Sequence, residues 1–102
     1  MTDLRWTPQA ADDLEAIHSF IARDSRHYAR LVIERLVQAA ELTRRFPDSG
    51  RVVPELGKPE IREVIRRPYR LVYRRRAELI EILTVFHASR PIPDLDSEKG
   101  AV

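Results

Sequence analysis

Seven arginines crowd into the stretch from Ile61 to Arg76, against one acid, Glu63. Guanidinium groups bind anions through paired N–H donors, so this run points to phosphates or acidic protein segments as partners. Arg62, Arg66, Arg70, Arg74 and Arg76 fall at even positions and would share a face in one unbroken strand. Pro68 interrupts that strand. Downstream stand His87, Ser89 and Arg90. An imidazole titrates near neutral pH and suits proton transfer, although a lone histidine at a strand end more often packs or hydrogen-bonds. His18, His27 and His87 have no metal-ligand spacing with one another or with carboxylates, so no metal site is expected. Three scattered glycines form no phosphate loop, and no cofactor is implied. Ser89 lacks an orienting acid or oxyanion hole, which makes a hydrolase a poor fit.

The elements that hold these residues follow from patterning. Ile61 to Arg67 reads as a strand, Arg67 and Pro68 as a turn, and Tyr69 to Arg75 as a second strand. In the second, Tyr69, Leu71 and Tyr73 alternate with Arg70, Val72 and Arg74, giving one apolar face for packing and one largely cationic face. Arg76, Ala77 and Glu78 link to a third strand, Leu79 to His87. Its near-continuous apolarity implies a central strand covered on both sides. Upstream, Asp3 to Trp6 suggests a short strand. Thr7 and Pro8 then read as N-cap and first helical residue, with Asp12 and Asp13 favouring the helix dipole. Ala10, Leu14, Ile17 and Ile21 make the apolar stripe of a first helix, about Pro8 to Arg23. Asp24 or Ser25 caps a second helix, about Arg26 to Phe46, whose broad face runs through Ala29, Val32, Leu36, Ala39 and Thr43. The short connection favours an antiparallel helix hairpin whose shared face must cover the sheet. Gly50 to Glu60 is loop-like. The fold class is therefore α+β: a short N-terminal strand and an antiparallel helix hairpin packed on a three-stranded antiparallel meander.

Composition bounds the rest. A chain of 102 residues has room for one domain, expected over residues 1–93, with a tail at 94–102 that is flexible unless docked. Hydrophobic residues at 43% and charged residues at 33% describe a soluble globular protein. No apolar run approaches the ~20 residues of a membrane span, and the amino terminus has no signal-peptide core. With no cysteine and no export signal, the cytoplasm is the expected location.

The order and spacing of particular residues resemble the ParE branch of the ParE/RelE toxin superfamily of type II toxin-antitoxin systems. These are Trp6-Thr7-Pro8, Asp13-Leu14, Phe46-Pro47, Gly50-Arg51, Pro54-Glu55-Leu56, Ile61-Arg62-Glu63, Tyr69-Arg70-Leu71-Val72-Tyr73 and Val85-Phe86-His87 with Arg90. The resemblance covers about Leu4 to Arg90. It implies a RelE/ParE-like fold, a growth-arresting toxin that inhibits DNA gyrase without catalysis, and a ParD-like antitoxin that neutralises it. Target contacts are then expected at Arg62, Arg66, Arg70, Arg74 and Arg90. The RelE side of the superfamily implies an alternative, a ribosome-dependent mRNA endoribonuclease. That chemistry would use Arg70 and Arg90 on the phosphate and His87 or Glu63 to move protons. RelE-like nucleases often carry a tyrosine near the C-terminal end of the sheet; here Ala88 follows His87 and no tyrosine lies beyond Tyr73, which favours the ParE reading.

Overall fold

Thr7 explains the first junction of the chain. In the computed structural model, which describes residues 2–95, the Thr7 hydroxyl accepts a hydrogen bond from the Ala10 amide at 3.2 Å. It donates one to the Ile82 carbonyl at 2.7 Å. The first bond caps a helix, and the second ties that cap to a strand far away in sequence. Ser25 caps the second helix by accepting from the Tyr28 amide at 3.0 Å.

The elements are β1 (Asp3–Trp6), α1 (Pro8–Ala22), α2 (Arg26–Arg45), β2 (Arg51–Val52), β3 (Ile61–Arg66), β4 (Tyr69–Arg75) and β5 (Leu79–His87). The strands form one sheet in the order β1-β5-β4-β3-β2, with β1 parallel to β5 and the other pairs antiparallel. The expected hairpin and meander are present, and the sheet is larger and mixed. β1 joins it as an edge strand, and Arg51–Val52 pairs with Glu63 and Arg62 inside the stretch read as loop. Two residues between Gly50 and Pro54 are too few to show alternation. The Arg67–Pro68 peptide bond at the β3–β4 turn is cis.

Both faces of the sheet are covered. On one, Val32, Leu36, Ala39 and Ala40 of α2 and Ala10 of α1 pack with Leu71, Tyr73, Ile80, Ile82 and Val85. On the other, Val53, Ile61, Val72, Leu83 and Phe86 form a smaller core that Leu56, Ile92 and Leu95 help to close. The β4 face expected to be largely cationic is therefore a second core side, with Val72 fully buried and Arg70 only 9% exposed. Leu95 packs against this core, while residues 96–102 of the expected tail lie outside those described.

Asp13 corrects another expectation. Its carboxylate accepts from the Thr84 hydroxyl at 2.6 Å and from the Val85 amide at 3.0 Å. It thus fastens α1 to β5 beside the register shift at Val72/Tyr73, and it lies beyond the first turn, where the dipole is felt. Among the described residues, no helix is long and apolar enough to cross a membrane.

Candidate functional site

Register decides which arginines stand together. β3 and β4 pair Ile65 with Arg70 and Arg62 with Tyr73, so even-numbered residues of one strand face odd-numbered residues of the other. Directly opposed residues share a face. Arg62 and Arg66 consequently stand with Tyr73 and Tyr69 on the helix side, whereas Arg70 and Arg74 stand with Ile65 and Ile61 on the far side. The hairpin divides the arginine run between two surfaces. Only Arg90 of the five arginines expected to meet a target is exposed; Arg62, Arg66 and Arg74 are half-buried and Arg70 is buried.

Arg70 is the centre of an ion-pair chain. Its Nε donates to Glu63 at 2.6 Å, and Nη1 and Nη2 clasp both oxygens of Glu55 at 2.7 and 2.8 Å. Its guanidinium also lies 5.0 Å over the Phe86 ring. Glu63 has no side-chain exposure, and its other oxygen accepts from Arg51 at 2.7 Å. Two carboxylates and two guanidiniums thus neutralise one another. The Arg70 guanidinium holds the Glu55 carboxyl down to about 2, from an ordinary value of 4.5. Glu55, followed by Glu63, pushes the Arg70 pKa up.

A pH dependence follows. Because the folded pKa of Glu55 lies below its unfolded value, its contribution is complete above about 4.5 and is lost as pH falls towards 2. Thermal melts across that window should show a falling midpoint, and Glu55→Gln should flatten the fall. Equal slopes for both proteins would disprove the assignment.

A second cluster surrounds Glu81. Arg76 at 2.7 Å, Arg5 at 3.0 Å and Arg74 at 3.5 Å converge on its carboxylate. Burial alone would raise this group, but Arg76, then Arg5 and Arg74, hold it below the ordinary range.

His87 belongs to neither cluster. It pairs with Tyr69 across β4 and β5, and the two rings meet edge to face with centroids 5.7 Å apart. The Ser89 amide donates to His87 Nδ1 at 3.1 Å. Since a backbone N–H can only donate, the neutral ring carries its proton on Nε2. His87 lines a groove of about 650 Å³ between α1 and the segment leaving β5. Ala16, Ile17 and Phe20 of α1 form one wall, while Val85, Arg90 and Pro93 contribute to the other. Tyr69 also borders it, and burial raises the Tyr69 pKa. Phe20 was missed as a candidate. It is 68% exposed and sits off the Ala10, Leu14, Ile17, Ile21 stripe, a displacement that was legible as an unexplained apolar residue.

Of the four residues a nuclease would use, the structure brings Arg70 and Glu63 together on the far face. His87 and Arg90 share the groove. His87 follows Phe86 in β5, and Phe86 lies under Arg70, so the sheet separates the two pairs.

This architecture defines a small α+β protein of RelE/ParE-like fold. The chain matches the family described as "ParE toxin of type II toxin-antitoxin system, parDE" over residues 4–92. A relative described as "Putative toxin Y4kP", from Sinorhizobium fredii (strain NBRC 101917 / NGR234), is 34% identical over 97 residues, covering 90% of this chain and 94% of the relative. A solved structure described as "Chromosomal ParDE TA system from P. aeruginosa" has the same fold, with a TM-score of 0.71 at 24% identity, covering 85% of this chain and 96% of that one. The chain belongs to the ParE toxin family of type II toxin-antitoxin systems.

Proposed function

We propose that this toxin arrests growth by binding DNA gyrase in the cytoplasm, performs no catalysis of its own, and is neutralised by a ParD-like antitoxin. The observation that carries the non-catalytic reading is the division of the nuclease set by the sheet. A 2′-hydroxyl cleavage needs its base and its phosphate-binding cations around one scissile bond. Arg70 is clasped by Glu55 and Glu63, on the opposite face from His87. Turning Arg70 to a phosphate would leave a fully buried carboxylate short of a partner. Arg62, Arg66, Arg74 and Arg90 keep side-chain surface to offer a target, and Arg70 supports the sheet between them.

One observation favours the nuclease alternative: His87 and Arg90 do share a groove. Expression in a bacterial host distinguishes the two. Gyrase inhibition predicts growth arrest with relaxed plasmid DNA, both reversed when the cognate antitoxin is co-expressed. Arrest with plasmid supercoiling unchanged would refute the proposal.

A further inference from the structure

The groove beside His87 has a built character that the ion-pair clusters lack. Its α1 wall, Ala16, Ile17 and Phe20, repeats at helical spacing and faces away from the sheet core at Ala16 and Phe20, both of which are exposed. The volume of about 650 Å³ lies within the ~300–1,000 Å³ of natural binding clefts. Cations mark its rim. Arg23 stands 6.0 Å from the centroid of the Phe20 ring, and Arg90 lines the opposite side. His87 presents its Nε2–H, because Ser89 occupies Nδ1. The one acid of the lining, Asp13, is committed: Gln9 donates to one oxygen, Thr84 and Val85 to the other. The groove therefore joins apolar walls to unsatisfied positive charge and a hydrogen-bond donor.

We infer that this groove is the seat of an acidic segment of the antitoxin, with an apolar side chain between Phe20 and Val85 and a carboxylate on Arg90. The inference rests on the reading that an antitoxin neutralises this chain, and it adds the location and chemistry of the contact. Groove shape selects the occupant. A segment that orders on binding can thread a cleft of this width, whereas a large folded target meets flat or protruding surface. Charge selects its sign, since Arg23 and Arg90 complement an acidic chain.

The test is titration calorimetry with the full-length antitoxin that reverses growth arrest. Ala16→Trp fills the groove from an exposed helical position, and Arg90→Glu reverses its charge at another exposed site. Each should weaken binding at least tenfold, while Lys58→Trp in the exposed loop before β3 should stay within twofold of the parent. Circular dichroism melts verify that all three remain folded. Binding within twofold of the parent for both groove variants would overturn the inference, as would an equal loss in Lys58→Trp. Gyrase assays on the same proteins separate the two readings. Weakened antitoxin binding in a toxin that never inhibits gyrase sustains the groove and sinks the target. Intact antitoxin binding with lost gyrase inhibition makes the groove a target surface and overturns it as the antitoxin seat.

Discussion

Arg70→Ala should cost about 3–5 kcal/mol of folding stability, the penalty for breaking a buried ion pair from one side. The substitution strips Glu63 of its 2.6 Å partner while its side chain has no exposure, and it frees both oxygens of Glu55. Urea unfolding reads the loss as a lower midpoint at unchanged slope. The double variant Glu63→Leu/Arg70→Met should recover most of it, because matched apolar groups can replace a buried pair at little net cost. A nuclease reading expects the reverse: near-normal stability and lost cutting in Arg70→Ala. Arg70→Ala with parental stability would show that the ion-pair chain is dispensable.

Gly50→Val should destabilise by about 1–3 kcal/mol or more through overpacking. A Cβ at position 50 would lie 2.7 Å from the Glu63 carbonyl and 2.7 Å from the Tyr73 hydroxyl. That hydroxyl is already engaged, donating to the Pro47 carbonyl at 2.7 Å and accepting from the Gly50 amide at 3.0 Å. One buried phenol thus pins the end of α2 and the start of β2 to the middle of β4. Adding Tyr73→Phe to Gly50→Val should cost less than the two separate losses together, since both act on that contact. Additive losses, measured by the same urea unfolding, would contradict the coupling.

Local chemistry made much of this fold legible. Thr7 and Ser25 announce helix starts because their hydroxyls serve amides a few residues on. The runs through Leu71 and Ile82 announce strands because their residues alternate or stay apolar. What stayed hidden depends on neighbours that only the folded sheet supplies. Glu63 and Arg70 become diagonal partners through the β3–β4 register, and a one-residue change of turn would have placed them on opposite faces. The same register splits Arg62 and Arg66 from Arg70 and Arg74, so the single arginine face suggested by even spacing does not form. Glu55 sits in a stretch with loop composition, and nothing near it in sequence foretells its clasp on Arg70. The groove was half visible: His87 and Arg90 were singled out, but its α1 wall needed the tertiary packing of Ala16 and Phe20.

The central claim is that this ParE-family toxin acts on gyrase and does not cut RNA. The most direct measurement is a DNA gyrase supercoiling assay with purified protein, run beside a ribosome-dependent RNA cleavage assay on the same preparation. The account predicts inhibition of supercoiling with ribosome-bound message intact. Cleaved message with gyrase fully active would contradict it and move the chemistry to His87 and Arg90.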